Sequence, residues 1–188
     1  MSPEETHNAL LFRCYQLLQD ASEHAGVVIN EDSQRYLLLT IVRYLNNEQL
    51  AMQARAFQFS DTHSKQGIQI TREHGDHCLM MAGLFPDIAI QKGTRILEYI
   101  EHGKYCFEQL GLQLKDNDGK IFSHIAEHFL SLTEVLHSLR YFAGSDRLNS
   151  LTAFELWAEG GSQSAYRQLT CEHQSLPLAH AMASGSRH

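Results

Sequence analysis

A chain of 188 residues, 43% hydrophobic and 20% charged, can bury a core without disulfide or metal staples and fits one domain. Its formal charge of −7 gives no general phosphate-binding surface, which needs clustered Lys and Arg, so nucleic acid is excluded as an expected partner. Arg140, Arg147, Arg167 and Arg187 are spread widely enough to read as a solvated face, and three prolines with few β-branched runs favour helix.

The first helix is expected to start at Ser2, with Pro3 at its first position and Glu5 reaching back to the cap. Its stripe is Leu10, Leu11, Cys14, Leu17, Leu18 and Ala21, and Gly26 ends it. Asn30 then caps a second helix whose wide apolar face, Leu37, Leu38, Ile41, Val42 and Leu45, suggests a central position covered on more than one side. A short third helix from about Asn47 carries Leu50, Ala54 and Phe57.

The next helix presents Ile68, Thr71, Gly75, Cys78, Ala82 and Phe85, and Pro86 stops it. After a turn at Gly93, Thr94 caps a helix with Ile96, Ile100, Gly103, Phe107 and Leu110, ended by Gly111. The most regular helix follows Asp116-Asn117-Asp118-Gly119: Phe122, Ile125, Phe129, Leu132, Leu136 and Leu139 recur in steps of three and four until Gly144. Two short helices, 151–159 and 163–170, flank Gly160-Gly161-Ser162. The reading is all-α: a single-domain bundle of six to eight helices over 1–171, with 172–188 a flexible tail.

The opening Met-Ser-Pro-Glu-Glu has neither the basic nor the apolar segment of an export signal, and the longest wholly apolar run, 78–85, is too short to span a bilayer. Cys14, Cys78, Cys106 and Cys171 show no framework spacing, as thiols in a reducing compartment do. A cytoplasmic protein without a membrane partner is expected.

Arg72-Glu73-His74-Gly75-Asp76-His77-Cys78-Leu79 leading into Ala82-Gly83-Leu84-Phe85-Pro86, then Tyr99-Ile100-Glu101-His102-Gly103-Lys104-Tyr105, then Trp157 with Gly161-Ser162, resembles a family of small, all-helical, uncharacterised bacterial cytosolic proteins. The resemblance covers most of the chain. It implies a helical fold and a bacterial cytosolic home, and transfers no residue role.

Twelve histidines make metal binding the first chemistry to weigh. Glu134 and His137 have the Glu-x-x-His spacing of carboxylate-bridged metal bundles, but the helix seam turns both toward solvent. Glu4 and His7 share that spacing in a first turn, where acids serve the helix dipole. The acidic turn at 116–119 is not a calcium loop, because Leu114 and Ile125 fall where carboxylates are required. There is no nucleophile elbow, phosphate-cradling loop or zinc-type cysteine spacing. Met80 and Met81 suit core filling, with an apolar ligand as their functional alternative.

Gly75 and Gly103 are expected to lie nearly level across an antiparallel helix crossing, allowing close approach. Leucine at either should push the helices apart, whereas alanine should cost less and gain helix propensity. The crossing gathers Glu73, His74, His77, Glu101 and His102, so that Glu73 and His77 with Glu101 or His102 form a candidate divalent-metal site; the bland reading is a solvated polar rim. His124 and His128 have metal-compatible spacing but read as surface. No cofactor beyond such a metal is expected. By elimination, the leading reading is a non-enzymatic binding or regulatory module acting through protein contact. Its partner is another protein or its own copy as a homodimer, given the wide apolar faces. The alternative is a helical metalloprotein or small-molecule enzyme using the His/Glu site.

Overall fold

The computed structural model describes residues 3–46, 67–145 and 147–175. They contain nine helices and no strand. These are α1 (Pro3–Ala25), α2 (Glu31–Asn46), α3 (Ile68–Gly83), α4 (Pro86–Gln91), α5 (Ile96–Gln113), α6 (Asn117–Glu127), α7 (Phe129–Phe142), α8 (Ser150–Ala158) and α9 (Gln163–Ser175). The all-α expectation holds, with slightly more helices than six to eight. The helix expected near Asn47 and the cap at Ser2 lie outside the described residues. No described helix is long and apolar enough to cross a membrane.

Local signals act as their chemistry requires. Asn30 Oδ1 accepts from the Ser33 amide at 2.8 Å, and Asn149 Oδ1 does the same for Thr152 at 2.9 Å, satisfying amides that a helix start leaves orphaned. Gly26, at φ 69°, ends α1 in the left-handed conformation, which lets the Val27 amide reach back to the Ser22 carbonyl at 3.0 Å.

Three boundaries differ from the sequence reading. Pro86 ends one helix and also starts another, at the first position of α4, where its missing amide costs nothing. The regular apolar series 122–139 is interrupted at His128, which has φ −102° and ψ 17° and separates α6 from α7. No Gly or Pro marks that break, and the apolar spacing carries across it. Finally, α9 continues to Ser175, past the 171 boundary drawn from sequence; 176–188 lie outside the described residues.

The centre of the bundle is α3, in which every residue from Gly75 to Gly83 is buried. It takes the place expected for the second helix; α2 buries Leu37, Ile41 and Val42 but leaves Leu39 and Leu45 exposed. What holds α2 to α3 is polar. Asp76, fully buried on α3, accepts from the Tyr36 hydroxyl at 2.5 Å and from the Arg43 guanidinium. Arg72 lies 3.9 Å from the same carboxylate and covers the Tyr36 ring at 5.2 Å. Burial pushes Asp76 above the usual carboxylate range although Tyr36 and Arg43 pull the other way.

The close crossing is real, but its register is shifted. A Cβ on Gly75 would meet the Phe107 ring at 2.9 Å, and one on Gly103 would meet Phe129 and, at 2.8 Å, Cys78 Cβ. Each glycine therefore receives a larger side chain and not the other glycine. The offset is about one helical turn, and it arises because α4 lengthens the connection that was read as a simple turn. Gly83 does for Leu136 what Gly103 does for Phe129: a Cβ there would lie 2.5 Å from Leu136 Cβ. So α7 is seated in a groove floored by glycines of α3 and α5.

This geometry revises the cost of alanine. Gly103→Ala and Gly83→Ala are expected to destabilise by about 1 to 3 kcal/mol through overpacking, outweighing the roughly 1 kcal/mol of helix propensity that alanine gains. Glu101→Ala, on the exposed face of α5, should stay within about 0.5 kcal/mol of wild type. Urea unfolding checks this; glycine variants as stable as wild type would contradict the seating of α7.

Candidate functional site

The residues proposed at the crossing do not converge on one point. Glu73 is exposed and accepts from Gln69 Nε2 at 2.7 Å, and Glu101 is exposed on α5. His77 is buried with its ring 6.2 Å from Tyr99, and His74 and His102 are half-buried, His102 lying 6.5 Å from the Tyr105 ring. The two carboxylates thus face solvent while His77 faces the core. Cys78 and Cys106 are buried free thiols, and burial raises both, Cys106 to about 11, which leaves little thiolate for chemistry.

A different part of the molecule gathers polar side chains around a cleft. The second face of α7, away from the glycine groove, borders a cleft of about 220 Å³ shared with the end of α1, the segment 147–148 and α9. Glu134, His137, Ser138, Arg140 and Tyr141 reach it from α7, His24 from α1, and Ser164, Arg167, Gln168 and Cys171 from α9. Its volume falls below that of pockets for drug-sized ligands and suits a smaller molecule.

Glu134 and His137 stand here as corrections, because neither points to solvent. Glu134 is 6% exposed and accepts from Ser162 Oγ at 2.5 Å and the Ser164 amide at 3.3 Å. The same Ser162 hydroxyl accepts from the Ala165 amide at 3.1 Å. Glu134 therefore anchors the start of α9. His137 Nε2 donates to the Ala82 carbonyl at 2.8 Å, satisfying an acceptor near the end of α3. The outward reading failed because α7 is covered by α1 as well as by α3, with the start of α9 over Glu134.

The cleft's charge comes from the arginines that looked dispersed in sequence. Arg140 is nearly buried and bonds Asp87 of α4. Arg167 donates to the Ala25 carbonyl, at the α1 C-terminus, and to the Gln163 carbonyl at 3.3 Å, a placement that the helix dipole favours. Arg147 lies over the Tyr141 ring at 5.3 Å. Among the described residues neither Arg147 nor Arg167 makes an ion pair. Beside them His24 Nδ1 hydrogen-bonds Ser138 Oγ at 3.1 Å, and its ring stacks on Tyr141 at 5.9 Å and 13°. Folding brings Arg140, Arg147 and Arg167 to the lining of one cleft, which their spacing in sequence conceals.

Two histidines make stability pH-dependent. Burial is the main cause that lowers His137 to about 4 and His77 to about 3 from the ordinary 6.5; for His137 the Ala82 carbonyl opposes the shift and the Arg140 charge adds to it. Both are neutral when folded, so the unfolded chain protonates first. Their contribution is complete above pH 6.5 and is lost as pH falls toward 4 and 3, at up to about 1.4 kcal/mol per unit for each histidine. Urea unfolding between pH 7 and 4.5 should show a shallower loss for His137→Gln than for wild type, and equal slopes would contradict a buried neutral imidazole. No family model, curated protein or solved structure matches the chain.

Proposed function

We propose that the chain is a non-enzymatic binding module whose cleft between α1, α7 and α9 takes a small organic anion, a carboxylate or a phosphate ester. The observation that supports this most is the pair Arg147 and Arg167, on the cleft wall with no carboxylate partner among the described residues. A guanidinium binds carboxylate and phosphate in a fork, and does so more strongly in a cleft than in open water. Tyr141, against which His24 stacks and over which Arg147 lies, adds an aromatic ring to the cleft lining for the ligand's body. With a net charge of −7, attraction for an anion has to be local to the cleft and sensitive to salt.

Binding without turnover is the better-supported role. The Ser162 hydroxyl is buried and engaged on both sides, by Glu134 and by the Ala165 amide, so it has no path to a substrate carbonyl. Glu134 is committed to α9. Cys171 is an exposed thiol on the cleft rim and forms no disulfide.

A second reading, a protein-contact module, has its own support in α8 and α9. Leu151 is 70% and Phe154 51% exposed, and Phe154, Trp157 and Tyr166 form a chain of ring contacts at 5.7 and 5.4 Å. Exposed aromatics of this kind suit a protein partner or a second copy. The metalloprotein alternative at the α3–α5 crossing has weaker support, given the outward Glu73 and Glu101.

Thermal unfolding in citrate, succinate, benzoate and glycerol phosphate at low salt tests the proposal. One or more should stabilise the wild type, by about 2.7 kcal/mol at a hundred times the dissociation constant. Arg147→Ala should keep the ligand-free melting temperature and lose affinity by about tenfold, or about 1.4 kcal/mol. If none of the anions stabilises the protein, or if one stabilises Arg147→Ala equally, the anion reading fails.

A further inference from the structure

The break between α6 and α7 carries a second constellation, remote in chemistry from the arginine cleft. His124-Ile125-Ala126-Glu127-His128 has the spacing H-x-x-E-H, which presents two imidazoles and a carboxylate on one side of a helix. The structure keeps that pattern. Ile125 and Ala126 are buried at 0% and 2%, so they hold the helix to the core while the three polar side chains lie on its outer side. Both histidines are half-buried and Glu127 is exposed. One ligand atom from each of the three lies within 4.8 Å of the other two, and the imidazole centroids are 4.2 Å apart at 62°.

We propose that His124, Glu127 and His128 bind one divalent transition ion of the zinc class. Imidazole nitrogen and carboxylate oxygen are the donors such ions prefer, at about 2.0 to 2.2 Å from the metal. Tetrahedral ligands at that radius lie about 3.4 Å apart, so the atoms need close only by side-chain rotation. The backbone suits this because His128 is the residue where helical geometry lapses, while its amide still bonds the His124 carbonyl at 3.0 Å. The two rings are therefore tethered by a short backbone link yet not fixed in one helix.

The fourth position has somewhere to open. Beside His124 and Glu127 runs a surface groove whose lining includes Leu114, Lys115, Asp116, Lys120 and Ser123. A metal held by three side chains at its end keeps one face toward this groove, the arrangement of a site that accepts water or a small ligand and not of a closed structural site. The ion would also span the α6–α7 break, bracing the helix that forms the cleft wall.

The test is cobalt(II) titration followed by absorbance, with zinc as competitor, on the full chain freed of any affinity tag. One equivalent should give the d–d bands of a low-coordinate nitrogen and oxygen site, and zinc should displace it. His124→Ala and His128→Ala should each weaken binding by at least about tenfold and Glu127→Gln should do likewise. All three should keep the helical circular dichroism of the wild type, since none of the side chains is in the core. Glu73→Ala with Glu101→Ala should leave affinity unchanged. Absence of one-equivalent binding, binding that survives the His124→Ala/His128→Ala double variant, or loss through Glu73 and Glu101 instead would each overturn the assignment. Anion stabilisation at Arg147 is read separately, so either proposal can fail alone.

Discussion

The structure depends on the seating of α7 in the groove between α3 and α5. Gly103 receives the Phe129 ring and Gly83 receives Leu136, seven residues apart and so on one side of α7. Neither glycine occupies an unusual backbone conformation; each serves because any side chain would fill space that α7 already occupies. Phe129, Leu132 and Leu136 are all at 1% exposure or below, and interiors packed to that degree register even a methyl group. The helix that lines the cleft is placed by two absent side chains.

From that seating the polar side of α7 follows. With one side fixed against α3 and α5, Glu134, Ser138 and Arg140 reach the start of α9, α1 and α4, where they find Ser162, His24 and Asp87, while His137 bonds the Ala82 carbonyl of α3. Buried polar groups left unpaired would cost more than these bonds contribute. The result is a wall of fixed polar groups beside two arginines, Arg147 and Arg167, that lack a described carboxylate. On the proposed reading these two guanidinium groups take an anion, and the bonds that fix the wall explain why its serine and glutamate are occupied.

Much of the fold was legible because apolar period, caps and stops are local properties. The Asn30 cap, the Gly26 stop, the crossing of α3 with α5 and the break between α8 and α9 were all readable in the chain. What failed was non-local. Glu134 and His137 were turned outward on the assumption that α7 has one buried side, whereas α1, α3 and the start of α9 enclose more of it. Gly75 and Gly103 were paired with each other because α4 was read as a turn. Arg140, Arg147 and Arg167 looked dispersed because no periodicity links a helix, a loop and the next helix. The candidate metal triad was partly visible: His124 and His128 were noted, but Glu127 was passed over. The H-x-x-E-H order was the signal that would have joined them.

The central claim, that the arginine wall of the α1–α7–α9 cleft binds an anion, is tested most directly by nuclear magnetic resonance of the arginine side chains. Titrating citrate into ¹⁵N-labelled protein should shift the Nε–Hε signals of Arg147 and Arg167 together, with a common saturation, while those of Arg35 and Arg95 stay put. Uniform small shifts at every exposed arginine, or no shift at Arg147, would contradict it.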